Sequence, residues 1–220
     1  MKAFKAKSYN LEKALKSEKA ENRKALVDVF SSLANSVDVG LVEKLTIPSL
    51  KTLSSTISET FARLGFEKFR KIVPGNDDLI LGYNEGSLYV NPVDFNHITA
   101  NPKEFFKEAI VRFGKKNGVR QFAIDTASHV KSHIVNHEIG HFLFEKYVKG
   151  GGSPNDLRLI KDEMVKSGEI DAISFYADSP DPEELFAECF AMFARKDPVL
   201  PKKMLDYVEK VIHDAAIQTS

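Results

Sequence analysis

Apolar residues recur at intervals of three and four along most of the chain, which predicts a largely helical protein. The clearest helix begins near Pro48 and ends at Gly65. Short β-rich runs around Asn84-Glu85-Gly86 predict a hairpin, and "VRQFAID" (119–125) predicts a third strand. The fold class that follows is α+β, mostly helical, with a small mixed sheet of short strands. The further helices are predicted over 10–35, 101–118, 127–148, 155–167, 182–195 and 201–215.

A turn-forming stretch, "VPGNDD" (73–78), predicts the main boundary of the chain. It separates a helical N-terminal region, residues 1–75, from a second domain, residues 76–220, and the two could pack as one compact unit. The N-terminal helices lack any evident catalytic residue, so they are a candidate surface for a protein partner.

The net charge does not indicate a binding partner, because 31 basic residues balance 31 acidic residues over the 220 positions. No global charge therefore directs the protein to nucleic acid or to a membrane surface. Residues 1–24 are locally basic, with eight lysines or arginines against three glutamates. Aromatic residues are sparse in that segment, which favours a solvated helix face over a nucleic-acid-binding arm.

Cysteine usage and hydropathy predict a cytoplasmic protein. The single cysteine, Cys189, cannot form an intramolecular disulfide, and the basic start of the chain has no apolar stretch behind it. No segment approaches the roughly 18 apolar residues that a membrane helix needs. A phage-associated protein, or one exported by a route without a signal peptide, would share these features.

Four histidines follow one another at every fourth position: His129, His133, His137 and His141. Each lies about one helical turn, roughly 6 Å, from the next, and the series drifts by about 40° per step. A single metal ion therefore cannot bind all four. Only His137 is followed by a carboxylate, Glu138, which produces the sequence His-Glu-Ile-Gly-His.

This His-Glu-x-x-His pattern combines two zinc ligands one turn apart, His137 and His141, with a general base between them. The neighbouring residues are apolar, so the helix is expected to run through the core. Buried histidines and a buried glutamate are costly unless they are paired or bind a metal. His129 and His133 are instead expected to share only the helix, although His133 lies one turn from His137 and could tune it.

A hydrolytic zinc site needs a third protein ligand, and the segment "DPEELFAECFAMF" (181–193) supplies carboxylates for it. Glu184 could coordinate the metal while Glu188, one turn on, accepts a hydrogen bond from a ligand histidine. The alternative is that Glu184 is an ordinary acid of the first helical turn, which the helix dipole favours.

The two motifs, "HEIGH" and then "EELFAE", in which Glu184 lies 43 residues after His141, resemble those of the gluzincin metallopeptidases. The most similar group contains the anthrax lethal factor catalytic domain, clostridial Pro-Pro endopeptidases and phage-encoded relatives. The resemblance covers about residues 79–195. ImmA/IrrE-type metallopeptidases share HEIGH, but their two motifs usually lie closer together.

The resemblance implies a zincin-like domain in which the small sheet packs on the HEIGH helix. It implies that His137, His141 and Glu184 bind Zn²⁺, with Glu138 as the base and Glu188 bonded to a ligand histidine. It also implies that a tyrosine stabilises the oxyanion. Tyr176 matches that tyrosine, about one residue further upstream than in the relatives.

The function expected is that of a zinc-dependent endopeptidase acting on a peptide or protein bound in extended form. Such a substrate would add as a strand to a sheet edge, with "GSLYVNP" (86–92) as the first candidate and "VRQFAID" as the second. Two alternatives remain open. One is a non-catalytic assembly or partner-binding protein, of phage origin in one version, with a structural or vestigial zinc site. The other is a zinc amidohydrolase acting on a non-protein amide.

Overall fold

The structure, a computed structural model, describes residues 21–66, 68–76, 79–112, 123–124 and 126–217. The chain divides into two compact units, residues 1–100 and 101–220. The predicted boundary near residue 75 lies within the first unit, between two strands of one sheet. No helix in the described parts of the chain is long and apolar enough to cross a membrane.

The N-terminal unit combines helices with a four-stranded mixed sheet, so the predicted α+β class is confirmed. Its longest helix, α3, buries the apolar stripe that the sequence shows and ends at Gly65, whose φ of 76° is left-handed. The predicted helix over 10–35 is described from residue 21; it is helical over Glu21–Ser31, and its predicted end is wrong, because residues 34 and 35 belong to the first strand. The elements are α1 (Glu21–Ser31), β1 (Ala34–Val37), α2 (Val39–Lys44), α3 (Ile47–Leu64), β2 (Phe69–Pro74), β3 (Leu81–Asn84), β4 (Ser87–Val90) and α4 (Pro92–Ala100).

The sheet has the strand order β1-β2-β4-β3, with the predicted hairpin formed by β3 and β4. Strands β1 and β2 were not predicted from the sequence. In β1 only Ala34 is buried, so the strand lacks the alternation that marks a half-buried strand. It forms by parallel pairing with β2, a contact between segments distant in sequence.

The topology also corrects the expected docking edge for a substrate strand. Residues 87–90 of "GSLYVNP" form β4, which pairs with β2 on one side and with β3 on the other. Both rows of backbone donors and acceptors are therefore occupied, and no further strand can add there. The second candidate, "VRQFAID", lies mostly outside the described residues, with only Ala123 and Ile124 described.

The C-terminal unit is built from helices. The predicted helices after residue 100 are all found, with ends shifted by a few residues, while residues 113–118 of the helix predicted over 101–118 lie outside the described residues. A 3₁₀ turn (Glu169–Ala172) lies between the third and fourth of these helices. Asp181 caps the fourth of these helices by accepting the backbone N–H of Glu183 at 2.9 Å. The helices are α5 (Pro102–Arg112), α6 (Val130–Lys149), α7 (Pro154–Ser167), α8 (Pro182–Ala194) and α9 (Lys202–Ile217).

Helix α6 carries HEIGH and is buried on most of its circumference, as its apolar neighbours predict. It packs closely against α8, which carries the second motif. Gly140 permits this approach, because a Cβ at that position would lie 2.8 Å from the Cα of Ala187. The sheet belongs to the other unit, so its predicted packing on the HEIGH helix stays a prediction.

We expect Gly140→Ala to lower the free energy of unfolding by about 2 kcal/mol. The new methyl meets backbone rather than a side chain, so the upper end of the overpacking cost applies, about 3 kcal/mol. Alanine stabilises a helix interior by about 1 kcal/mol relative to glycine, which offsets part of this cost. Denaturant unfolding measures the change. Lys131→Ala, elsewhere on α6, is the matched control and should stay within about 0.5 kcal/mol of wild type; an equal loss in both variants would contradict the close-packing argument.

Candidate metal centre

Helices α6 and α8 place the residues of both motifs at their interface. Three of the four histidines, His133, His137 and His141, project from α6 toward α8, one turn apart. Glu184 and Glu188 face them from α8, also one turn apart. The tertiary contact between the helices therefore joins two motifs that lie more than 40 residues apart in the chain.

Three ligand atoms converge at one end of this interface. His137 Nε2 lies 3.1 Å from Glu184 Oε2 and 3.2 Å from His141 Nε2, and the third pair, His141 Nε2 and Glu184 Oε2, is 3.6 Å apart. Zinc binds nitrogen and oxygen ligands at about 2.0–2.1 Å in tetrahedral geometry, which puts any two ligands about 3.3 Å apart. The observed separations bracket that value.

The buried oxygen of Glu184 tests whether this donor set suits a cation. Glu184 Oε2 is inaccessible to solvent, yet among the described residues no group makes a hydrogen bond of good geometry with it. A buried carboxylate oxygen without such a bond is costly. The set of two imidazole nitrogens and one carboxylate oxygen is the one that zinc takes in peptidase sites. The residues present therefore fit a zinc ion.

The electrostatics of the same cluster favour positive charge. Burial by itself would raise the pKa of Glu184, but attraction to His137 and His141 outweighs it and lowers the pKa to about 2. Burial would lower the pKa of His137, whereas its contacts with Glu184 and Glu188 raise the pKa to about 10. Both shifts have one cause, which is that two carboxylates surround these imidazoles in a site shielded from water.

Glu188 is completely buried and accepts four hydrogen bonds. Its Oε1 contacts His133 Nε2 at 3.0 Å and His137 Nδ1 at 2.9 Å, while its Oε2 accepts the Ala123 N–H at 2.7 Å and the Ser174 hydroxyl at 2.9 Å. Burial would raise the pKa of this carboxyl, but His133 and His137 hold the pKa well below its usual value. Glu188 is thus an ionised carboxylate that accepts a hydrogen bond from His137, the contact that the sequence predicts for it. His137, His141 and Glu184 together are called the metal cluster below.

Among the described residues, His133, His137 and Glu188 form a second group with metal-ligand spacing. The members of this group already satisfy one another through hydrogen bonds, and the remaining nitrogen of His133 contacts Arg195 Nη1 at 2.8 Å. All three residues are buried, so no position is open to water. The group around Glu184 has the atom without a hydrogen bond, and it is therefore the better metal site.

Glu138 lies between the two histidines of HEIGH and is only 7% exposed. Burial raises the pKa of its carboxyl, and the nearby His137 and His141 oppose that rise. The carboxyl is close enough to interact electrostatically with Glu184 as well. Glu138 therefore interacts electrostatically with the residues of this site, in a dry environment where a carboxylate binds a proton more readily than in water.

Tyr176 lies beside the metal cluster in the loop that precedes α8. Its ring meets the His137 ring edge-on, with centroids 5.9 Å apart, and about a third of the residue is exposed. Ser174 anchors the loop, because its hydroxyl donates to Glu188 and accepts the Ala177 N–H at 3.1 Å. The structure therefore brings Tyr176 next to His137, one of the residues with which the family resemblance groups it.

Two residues of the site, Ser174 and Arg195, have no role predicted from sequence, and for His133 the sequence predicts only that it could tune His137 from one turn away. The ladder spacing was a usable signal for His133, since residues four apart share a helix face. Ser174 and Arg195 are single polar residues without a motif. His129 belongs to neither of the two groups with metal-ligand spacing in the described part of the chain.

Comparison with family models, with curated proteins and with solved structures finds no match for this chain. The resemblance to gluzincins therefore rests on the motif residues alone.

Proposed function

We propose that the protein is a zinc-dependent endopeptidase. The observation that carries the proposal is the convergence of His137 Nε2, His141 Nε2 and Glu184 Oε2 at zinc-ligand separations, around a buried oxygen that receives no hydrogen bond of good geometry from the described part of the chain. These three residues would hold the ion. When bound, zinc supplies a Lewis acid that activates water and polarises the scissile carbonyl.

Glu138 is the general base in this proposal. Its carboxylate would take a proton from the attacking water and pass that proton to the leaving amine. Its burial supports the role, because a carboxyl in a dry site has a pKa nearer to neutrality than an exposed one. A site that binds zinc only for structure has no use for such a base.

Tyr176 would donate its hydroxyl proton to the oxygen of the substrate carbonyl as negative charge develops there, and the contact of its ring with His137 supports this role. Burial and the negative charge of Glu184 raise the pKa of its phenol, so the group stays protonated and able to donate at neutral pH. The substrate would be a peptide or protein segment in extended form, since only an extended chain presents its carbonyl freely to a cleft.

Metal analysis followed by cleavage profiling on a peptide library tests this proposal. We expect one zinc ion per chain and cleavage at a restricted set of peptide bonds. Stoichiometric zinc without cleavage of any peptide would favour the alternative of a non-catalytic protein with a structural site. Cleavage of non-peptide amides alone would favour the amidohydrolase alternative.

Removal of zinc should loosen α8 and expose Cys189. This cysteine is fully buried, and burial, followed by the charge of Glu188, raises the pKa of its thiol, so the folded protein should resist thiol reagents. Zinc at about 100 times its Kd stabilises the folded form, in which Cys189 is buried, by about 2.7 kcal/mol relative to forms that expose it. Labelling of Cys189 should therefore be about 100-fold slower than in the zinc-free protein. Labelling rates with and without a chelator measure the effect. Denatured protein in the same chelator controls for the reagent, and equal rates with and without zinc would show that the ion does not bind between α6 and α8.

A further inference from the structure

The proposed function leaves unexplained why a histidine and an arginine are bonded to each other behind the metal cluster. His133 is 2% exposed and lies on α6 one turn before His137. Arg195, immediately after α8, contacts the His133 ring, the Asp197 carboxylate and the Ala123 carbonyl. This contact set uses donors from every nitrogen of the guanidinium.

The donor and acceptor rules assign every proton in the chain of contacts. A guanidinium only donates, so His133 Nδ1 accepts from Arg195 Nη1 at 2.8 Å and carries no proton. The proton of the neutral His133 ring is then on Nε2, which donates to Glu188 Oε1 at 3.0 Å. Burial, the largest influence, lowers the pKa of His133, in agreement with a neutral ring.

The second hydrogen bond to Glu188 Oε1 is donated by His137, a residue of the candidate metal site. His137 Nδ1 contacts this same oxygen at 2.9 Å, and because an ionised carboxylate only accepts, Nδ1 carries the proton. When His137 binds a metal as a neutral ring, this proton on Nδ1 leaves the lone pair on Nε2, the atom that faces His141 and Glu184. A rotation of the Glu188 carboxylate would remove this constraint.

We propose that Arg195 and His133 are positioning residues that hold Glu188 in place and thereby keep the Nε2 lone pair of His137 aimed at the metal site. The inference rests on the proposed function for its consequence, which is tighter zinc binding. It goes beyond the two motifs, because both residues lie outside them. Ala123 completes the arrangement, since its N–H donates to Glu188 and its carbonyl accepts from Arg195.

Substitution at His133 separates positioning from packing. His133→Gln keeps a donor for Glu188 and an acceptor for Arg195 on one amide, whereas His133→Leu keeps the bulk and removes both. We expect His133→Leu to weaken zinc binding 10–100-fold, the range typical of groups that orient metal ligands, and His133→Gln to restore most of it. Competition with a chromophoric chelator measures the Kd, and thermal unfolding of the zinc-free variants measures any loss of packing. His129→Leu, at the N-cap of α6 and in neither group with metal-ligand spacing among the described residues, should bind zinc like wild type.

A second readout does not depend on metal. Long-range proton–nitrogen NMR of the zinc-free wild type should show His133 with its proton on Nε2 alone, and the Nδ1 signal should shift in Arg195→Met, which removes the donor to that nitrogen. A proton on Nδ1 in wild type would overturn the proposal. So would wild-type zinc affinity in His133→Leu, or equal loss in the Leu and Gln variants. Failure of the wild type to bind zinc would overturn the proposed function. The NMR result would still show which nitrogen of His133 carries the proton, and it would test the hydrogen-bond arrangement independently of zinc.

Discussion

Glu138→Gln should bind zinc as wild type does and cleave peptides at least 10²–10⁴-fold more slowly, the range that general acid–base catalysis contributes. The amide has nearly the shape of the carboxylate but cannot accept the proton of the attacking water. Since Glu138 is not among the three residues that would hold the ion, its replacement leaves the metal cluster intact. The rate of cleavage of the best library peptide, measured beside zinc content, tests both halves of this expectation.

The matched control is Glu145→Gln, which makes the same change two turns further along α6. Glu145 forms an ion pair with Lys149 rather than contributing to the metal cluster. We expect this variant to keep full activity, because a surface ion pair of this kind contributes little. If Glu138→Gln cleaves as well as wild type and Glu145→Gln, the base is not Glu138 and the proposed mechanism is wrong.

The Glu184→Ala protein should bind zinc more weakly than any variant of His133 or Arg195. The substitution removes one of three protein ligands, so we expect the Kd to rise by more than the 10–100-fold typical of groups that only orient ligands. Activity should fall with metal occupancy. Zinc content after gel filtration and chelator competition provide the measurement.

Glu183→Ala is the paired control for this experiment, since it removes an adjacent glutamate from the same helical turn. Glu183 lies in neither group with metal-ligand spacing among the described residues. Its replacement should leave zinc binding nearly unchanged. Equal loss in the two variants would indicate that the negative charge of the helix start, and not coordination by Glu184, is what matters for the ion.

Local patterns were sufficient for much of the C-terminal unit. Helices α6 and α8 can be predicted from the spacing of their apolar residues, because residues three and four apart lie on the same face of a helix. For α8, Asp181 and Pro182 also mark the start. The pairing of His137 with His141 needs only the helical repeat. The N-terminal strands β1 and β2 were missed, since they form by parallel pairing between distant segments and carry no alternation of their own.

The site shows the same division between local and long-range information. Residue order along α6 and α8 was enough to propose His137, Glu138, His141, Glu184 and Glu188, since each helix places its own members one turn apart. The contact between the two helices, which Gly140 permits, brings Glu184 within 3.1 Å of His137 and gives His133 its place beside Glu188. Arg195 and Ser174 acquire a role only there, because a hydrogen bond between residues distant in sequence depends on how the chain packs and leaves no periodic signal in the sequence.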